Sequence, residues 1–455
     1  MTTTDSTLAK LAEFIGLHPD IQYVTSASPD FDTVRSIFAH PEVIPSAIIR
    51  PATAQQVGTV VSFLAENKVE FTIRSGGHDM HGRSMKTGTV AIDMRRIDHV
   101  SIDKESSTAR VGGGAIFGDV VPALEAEGLI TPVGTISAVG YVGWAMYGGY
   151  GPYSSQFGLG VDQIVGARIV NARGEVVEAD AELLKAIRGA GGAFGVIVEV
   201  TIKVYESGQI LAGVIVFNSE DLPSVIRQFN EGYRGLDPES LPPALNVQQA
   251  VLNMPTPIFG ALFTWGSADF EKGKQWLEKV SSLAPSVANT VHPATPQAWL
   301  EEADKMVAQS TQGRLWTISL RKVTDEIAQV IGKYAASFPA DPHVLFSIHE
   351  LRKSTPSAQP STGSVFSVRE PHCVFEICTI VDNKELLESA LAWGREFQAA
   401  LEKTSADNIV PASYLSFIAP GDFDQAKVFG QNVSFLRALK ERVDPGNVFK
   451  AISYL

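Results

Sequence analysis

The most constraining feature of this sequence is a glycine-rich segment at positions 132–151. Its six glycines alternate with aromatic side chains, among them Tyr141, Trp144 and Tyr150. A flexible linker is instead rich in serine and glycine and poor in aromatic residues. The segment therefore predicts a packed loop that presses against a flat ligand. A buried irregular loop without a ligand is the alternative.

A second glycine cluster follows a predicted apolar strand that ends near Arg74. Gly76 and Gly77 let the backbone approach a ligand closely, and successive amide groups there can hold a phosphate. His78 comes directly after them and is therefore placed beside whatever the loop binds. A glycine turn followed by an ordinary surface histidine is the alternative.

A third glycine cluster, at positions 188–195, lies between a predicted helix and a predicted strand. A Rossmann dinucleotide fingerprint requires a strand first, then the glycines, and then a helix. The order here is the reverse, so the cluster does not predict a Rossmann site. Beyond about position 205, apolar strand-like runs alternate with long amphipathic helices, which predicts an α+β domain with helices on one face of a sheet.

The charge balance limits the partners of the chain. Its net charge is −13, and an acidic surface repels nucleic acid phosphates and anionic membranes. No run of about 18 apolar residues is present, and the first residues lack the pattern of a secretory signal. We therefore expect a cytoplasmic protein with a small-molecule substrate, without nucleic acid or membrane partners. No cluster of histidine, cysteine and aspartate has metal-ligand spacing, so no metal is expected.

Five motifs occur together and in a fixed order along nearly the whole chain. They are RSGGHD at 74–79, PVGTISAVGYVGWAMYGGYG at 132–151, FGLGVDQI at 157–164, IRGAGGAFGVIVE at 187–199 and DPGNVFK at 444–450. Together they resemble the FAD-linked oxidases of the vanillyl-alcohol-oxidase/PCMH type, in the berberine-bridge-enzyme-like branch. The set of five is far more specific than any one motif.

The resemblance implies an α+β fold of two parts. A two-lobed PCMH-type FAD-binding domain would occupy residues 1–205, and an α+β substrate-binding domain, an antiparallel sheet covered by helices, would occupy residues 206–405. Residues 406–455 would return to the FAD domain. Oligomeric state is left open.

The resemblance also implies the cofactor and its ligands. FAD would carry a single covalent link from His78 to the 8α-methyl group of its isoalloxazine ring. Ile136 stands where doubly linked relatives have a cysteine, so a second link is not expected. The residues expected to bind FAD are Arg74, Ser75, Gly76, Gly77, His78, Asp79, Ser84, Gly134, Thr135, Val139, Gly140, Gly143, Trp144, Gly149, Tyr150, Gly151, Gly192, Gly195, Val196, Ile197, Tyr414 and Ser416.

Some positions depart from the pattern of the family. Trp144 replaces a histidine that many relatives place near the flavin, and Met80 replaces an active-site tyrosine of plant relatives. Ser416 replaces an asparagine. Val139 matches a small aliphatic position that leaves oxygen a path to the flavin, which favours an oxidase.

The candidate catalytic residues lie on predicted strands and in aromatic loops. Glu376 stands among apolar residues, where loss of hydration would raise the pKa of its carboxyl group and suit it to act as a general base. A solvent-facing strand glutamate is the alternative. His349 could bind substrate or polarise a hydroxyl, or it could be a structural histidine. Tyr141 and Tyr414 are candidate lids or proton relays, although packing is the simpler role for each.

The resulting hypothesis is an FAD-dependent oxidase of secondary metabolism. A small natural product would undergo a two-electron oxidation, with hydride passing to flavin N5 and molecular oxygen as the acceptor. Two alternatives stay open. One is an isomerase or cyclase of the same fold that works without net oxidation, suggested by the changes at Met80 and Trp144. The other is a binding protein with an inactive site, against which the intact RSGGH motif argues.

Overall fold

The computed structural model describes residues 5–236, 241–254, 256–305, 312–359, 361–450 and 455. We call residues 5–206, which hold three small sheets, the first lobe. We call residues 210–402, which hold one large sheet, the second lobe. In the described ranges, no helix is both long and apolar enough to cross a membrane.

The first lobe is built from sheets of four, five and two strands. In spatial order the strands are Gln22–Val24, Ala47–Arg50, Val90–Asp93 and Phe71–Arg74; then Val100–Asp103, Thr108–Gly112, Val196–Lys203, Ile164–Val170 and Val176–Glu178; then Tyr205–Glu206 and Leu129–Ile130. Its helices are Asp5–Gly16, Phe31–Val34, Ala54–Glu66, Phe117–Glu125, Tyr141–Ala145, Ser154–Phe157, Gly160–Gln163 and Ala181–Ala190, followed by the 3-10 turn Gly191–Phe194. The four-stranded sheet is parallel except at its first pair, and the five-stranded sheet is antiparallel.

Local sequence explains how the first-lobe elements begin. The helix Ala54–Glu66 starts where the Thr53 side chain accepts a hydrogen bond from the Gln56 amide. Its apolar residues recur at helical spacing and are buried against the four-stranded sheet; they are Val57, Val60, Val61 and Leu64. The strand Phe71–Arg74 is followed directly by the loop that contains Gly76 and Gly77.

The second lobe is dominated by an eight-stranded antiparallel sheet. Its strands in spatial order are Ser286–Asn289, Ile210–Phe217, Pro257–Trp265, Leu245–Asn253, Leu345–Leu351, His372–Cys378 and Leu315–Leu320, and His292–Ala294 also pairs with Ile210–Phe217. Its helices are Leu222–Gly235, Phe270–Ser281, Pro296–Asp304, Asp325–Ala335 and Leu387–Glu402, with 3-10 turns at Pro356–Ala358 and Lys384–Leu386.

Four of the five described α-helices cover one face of this sheet. The other face lies toward the first lobe, and helix Pro296–Asp304 packs there against helix Phe117–Glu125. Side chains alternate between the two faces, because successive residues of a strand point in opposite directions. On strand His372–Cys378, Phe375 and Ile377 join the core beneath the helices, where Phe229 and Phe397 also lie. Glu376, between them in sequence, points to the opposite face. The predicted α+β fold with an antiparallel sheet covered by helices is confirmed.

The C-terminal segment packs against the first lobe. It comprises 3-10 turns at Ala406–Asn408, Leu415–Phe417, Pro420–Asp422 and Gly430–Asn432 and the helices Gln425–Phe429 and Val433–Val443. Lys440 donates hydrogen bonds to the Ala193 carbonyl (2.7 Å) and to the buried Asp444 carboxylate (2.6 Å). The domain boundaries at 205 and 405 stay a prediction.

Candidate active site

A cavity of about 440 Å³ lies between the glycine loops of the first lobe and the free face of the eight-stranded sheet. A concave, mainly apolar space with a few polar groups, located between two lobes, is typical of a small-molecule site. The predicted site residues that line it are Ser75, Gly76, Gly77, His78, Asp79, Ser84, Gly134, Thr135, Val139, Gly140, Gly143, Trp144, Tyr150, Gly192, Gly195, Val196, Ile197, His349, Glu376, Tyr414 and Ser416. Four others, Arg74, Tyr141, Gly149 and Gly151, are not part of this lining.

Arg74 is turned away from the cavity by an ion pair. Its guanidinium donates to the carboxylate of Asp93 and to the Ser36 carbonyl, each at 2.9 Å. Asp93 is fully buried and also accepts from Arg50 at 3.0 Å. A buried carboxylate is stable only with such partners, so Arg74 is held beneath the loop and the prediction that it contacts the cofactor is not supported.

Tyr141 is a core residue in this structure. Its side chain is fully buried and its hydroxyl lies 3.3 Å from Thr131 Oγ1. Thr131 donates to the Lys203 carbonyl, so the Tyr141 hydroxyl is the donor between the two. Burial raises the pKa of Tyr141, and the predicted role as a proton relay is not supported.

Gly149 and Gly151 lie outside the cavity lining and pack against the residues that support it. The Gly149 amide donates to the Tyr414 hydroxyl at 3.2 Å. A Cβ atom on Gly151 would lie 1.9 Å from the Val133 carbonyl oxygen. Both glycines therefore serve close packing of the loop and do not touch the cavity.

The two glycine loops on the cavity side pack backbone against backbone. A Cβ atom on Gly76 would lie 2.2 Å from the Ala138 carbonyl oxygen and 2.5 Å from the Gly140 amide nitrogen. A Cβ atom on Gly140 would lie 2.5 Å from Ser75 Oγ. Only glycine permits this approach at both positions, and it brings two stretches of backbone to one edge of the cavity.

Two hydroxyl groups at this edge point to a polar ligand. Ser75 Oγ and Ser84 Oγ are buried, their residues line the cavity, and neither has a hydrogen-bond partner within the described ranges. Buried polar atoms are normally paired, so these two unpaired hydroxyls can donate to the oxygens of a polar ligand such as a diphosphate. The residues present therefore fit the FAD that the sequence predicts.

His78 projects from the loop of Gly76 and Gly77 into the cavity as a neutral imidazole. Its ring stacks on Phe38, with ring centroids 3.9 Å apart. Burial lowers the pKa of His78 to about 4, although Asp304 and Glu376 act in the opposite direction. At neutral pH the ring is therefore uncharged, with one N–H group and one nitrogen that has a free lone pair.

Glu376 lies on the opposite wall in a group of three polar side chains. Ser347 is its partner on the neighbouring strand and donates to Glu376 Oε2 at 2.8 Å. His349 Nε2 lies 3.3 Å from the same oxygen. This arrangement leaves Glu376 Oε1 without a hydrogen-bond partner among the residues that the structure describes.

The pKa of Glu376 shifts in the direction opposite to the one expected. Burial raises it, but the hydrogen bond and charge interaction with His349 and the hydrogen bond from Ser347 outweigh burial and lower the pKa from its usual value. Glu376 is therefore a carboxylate at neutral pH. The prediction of a raised pKa was wrong because the neighbours of Glu376 across the sheet could not be known from its own strand.

Arg83 is a lining residue that the sequence did not single out. Its guanidinium pairs with the Asp79 carboxylate at 2.7 Å and donates to the carbonyls of Leu415 and Ser416 at 2.9 and 3.0 Å. Burial opposes ionisation of Asp79, but Arg83 and His81 hold its pKa below the usual value. The only sequence signal was the spacing of four residues between Asp79 and Arg83. The contacts with Leu415 and Ser416 could not be predicted, because these residues lie far away in the sequence.

Tyr150 and Tyr414 form the third side of the cavity. The two rings lie edge to face with centroids 5.0 Å apart. His372, another residue not predicted, has Nδ1 at 2.6 Å from the Glu370 carbonyl, which can only accept. Its Nε2 is therefore an acceptor, and the Tyr150 hydroxyl donates to it at 2.7 Å.

Comparisons with known proteins agree with one another. A family profile described as an FAD binding domain matches residues 45–180. The FAD-linked oxidoreductase aurO of Gibberella zeae is 31% identical over 98% of this chain and 87% of its own length. Among solved structures, 6-hydroxy-D-nicotine oxidase from Arthrobacter nicotinovorans has a TM-score of 0.80 at 23% identity, covering 95% of this chain and 97% of its own. Xylooligosaccharide oxidase from Myceliophthora thermophila has a TM-score of 0.83 at 20% identity, covering 96% and 97%.

Proposed function

The chain belongs to the FAD-linked oxidoreductases of the PCMH type, in the berberine-bridge-enzyme-like family, and on this premise we propose that it oxidises a small natural product by two electrons and passes them to molecular oxygen. That it is an FAD-binding oxidoreductase follows from the family. The observation that carries the finer proposal is the Glu376–Ser347–His349 group, which faces His78 across the cavity.

FAD held by these residues would supply two-electron redox chemistry, with oxygen as the final acceptor and hydrogen peroxide as its product. The chain supplies the proton chemistry. Glu376 is ionised and its Oε1 is free to accept a proton from a hydroxyl or amine of the substrate. Ser347 and His349 hold Oε2, which fixes the orientation of the carboxylate and stabilises its charge.

We also propose that His78 forms the single covalent link to FAD. A nitrogen that is to form a bond needs an available lone pair, and the lowered pKa of His78 keeps the ring neutral. The stack on Phe38 fixes the plane of the imidazole. Ile136 also lines the cavity and has no nucleophilic atom, which supports one link and not two.

The test is to precipitate the purified yellow protein with acid and locate the flavin. We expect flavin in the pellet for the parent protein and in the supernatant for His78→Ala. His81→Ala is a matched control, because His81 is a half-buried histidine whose pKa is also lowered by burial to about 4, but it does not line the cavity. Its flavin should stay in the pellet. Flavin that stays in the pellet for His78→Ala would contradict the link.

The oxidase itself is tested by mixing the protein with candidate substrates. Reduction of the flavin without air, and peroxide formation in air, are the expected results. Product formation without any flavin reduction would instead favour the isomerase or cyclase alternative. A colourless purified protein would contradict the redox proposal.

A further inference from the structure

The free face of the large sheet presents its side chains in rows that run across the strands. In one row, Ser347 pairs with Ala250 on one side and with Glu376 on the other. Gln248 adds to this polar region, because its side-chain amide donates to Ser347 Oγ at 3.1 Å. Glu376 is thus the end of a short hydrogen-bonded chain from Gln248 through Ser347.

The next row along the same strands is entirely apolar. Leu252 pairs with Leu345, Leu345 with Cys378, and Cys378 with Leu315. All four line the cavity. Two residues along a strand span roughly 7 Å, so the apolar row lies about one aromatic ring away from the carboxylate.

The first lobe covers the same apolar region from the other side. Met80 belongs to one hydrophobic cluster with Leu315 and Cys378, and Phe38 packs against it. Both Met80 and Phe38 line the cavity. An unbranched thioether adapts its shape to a flat ligand, and the Phe38 ring offers an apolar surface.

The apolar end of the cavity also leads toward solvent. Met254 follows Leu252 by two residues, lines the cavity and is 57% exposed. His343 also lines the cavity, and its Nε2 lies 2.8 Å from Asp382 Oδ2. Among the described residues that line the cavity, Arg83 is the only arginine or lysine, and its guanidinium is bound to Asp79 and to two carbonyls.

We propose that this cavity selects an amphiphilic, non-anionic substrate with one hydroxyl or amine at Glu376 and a flat apolar body over the row of Leu252, Leu345, Cys378 and Leu315. The inference rests on the proposed function for the role of Glu376. Leu345 and Leu252 are the residues that set the specificity. The apolar end of the substrate lies toward Met254 and the polar end enters first.

The same geometry disfavours two other classes of substrate. An oligosaccharide carries hydroxyls around each ring, and those facing the apolar row would lose water without gaining a partner, at about 1–3 kcal/mol each. A carboxylate over this row would find no free cation in the described lining, and it would face the negative charge of Glu376.

The test uses the FAD-loaded protein and 4-alkylphenols from 4-methylphenol to 4-butylphenol, with binding measured by calorimetry. Burial of each added methylene should tighten binding about fourfold. Xylobiose should show no binding at the same concentrations. Leu345→Asn should reduce the gain per methylene to less than about twofold. Leu252→Asn repeats the test on another strand if the first variant fails to fold.

Val287→Asn is the matched control for the apolar-to-amide change, because Val287 is 65% exposed on the edge strand Ser286–Asn289. It should keep the full gain per methylene. A gain near onefold in the parent protein, or tight binding of xylobiose, would overturn the inference while leaving the oxidase proposal standing. A fourfold gain that Leu345→Asn removes, without peroxide from any compound, would support the inference and count against the oxidase.

Discussion

The two walls of the cavity are made in different ways. The first-lobe wall is made of backbone, with glycines at points where a Cβ atom would collide with a facing carbonyl or amide. The second-lobe wall is made of side chains that alternate on regular strands. Substitutions in the first wall should therefore act on folding and cofactor retention, whereas substitutions in the second should act on chemistry and specificity.

Gly76→Ala is expected to have the largest effect on stability and flavin retention, and it tests the first wall. The added methyl group would meet two backbone atoms, the Ala138 oxygen at 2.2 Å and the Gly140 nitrogen at 2.5 Å, and neither can move as a side chain could. We expect a loss of about 3 kcal/mol or more in stability, with little flavin retained. Thermal melting and the ratio of flavin to protein measure both.

Gly143→Ala is the companion variant within the same wall. Gly143 lies in the short helix Tyr141–Ala145, and a methyl group added there would meet nothing within 4 Å beyond its own helical turn. Its Tm should match the parent or exceed it, since alanine is favoured over glycine in a helix by up to ~1 kcal/mol. Equal destabilisation by the two substitutions would mean that the backbone contacts of Gly76 are not what holds this wall.

The sequence located the first wall better than the second. Glycine motifs are local, so the loops containing His78 and Gly140 could be recognised from the order of residues alone. Side-chain direction at the ends of strands and helices does not follow from that order, and the structure places Arg74 and Tyr141 outside the cavity lining. Arg74 is drawn to Asp93, a residue 19 positions away.

In the second wall, alternation along each strand predicted only part of the site. Glu376 and His349 stood out within their own strands, but Ser347 lies 29 positions before Glu376, and strand register brings the two together. The direction of the Glu376 pKa shift depends on that pairing. Gln248 and His372 were missed because they act through neighbours on other strands.

The second wall is tested by Glu376→Gln. The amide cannot accept the substrate proton, so kcat/KM should fall by roughly 10²–10⁴-fold while Tm and flavin content stay close to the parent. Ser347→Ala keeps the carboxylate but loses one hydrogen bond to it, and should cost about tenfold. A large loss of flavin in Glu376→Gln would contradict the assignment of cofactor retention to the first wall and of chemistry to the second.

The pH dependence of kcat/KM also tests the role of Glu376 in the second wall. Because the folded pKa of Glu376 is lowered, the carboxylate is present at neutral pH and is lost only as pH falls through a value below the usual pKa of a glutamate. Its contribution to stability and to rate should follow the same direction, present above that pH and lost beneath it. An acid limb of kcat/KM near neutral pH that disappears in Glu376→Gln would show that the pKa is raised instead.

A smaller loss of stability than that of Gly76→Ala is expected at the residue that ties the loop of His78 to the C-terminal segment. Arg83 spans Asp79 and the carbonyls of Leu415 and Ser416 with one planar guanidinium. Arg83→Lys keeps the charge but cannot reach all three acceptors, so we expect a stability loss of about 2 kcal/mol and a lower Tm.

The variant also separates two ways in which the walls could depend on each other. Leu415–Phe417 borders the sheet side of the cavity, where Phe417 packs with Leu315 and Cys378. If Arg83 holds that turn in place, Arg83→Lys should raise KM several-fold with the flavin content unchanged. Asp79→Asn should add little to it, since both changes remove the same contact. Additive losses from the two variants, with KM unaltered, would mean that each wall keeps its shape without the other.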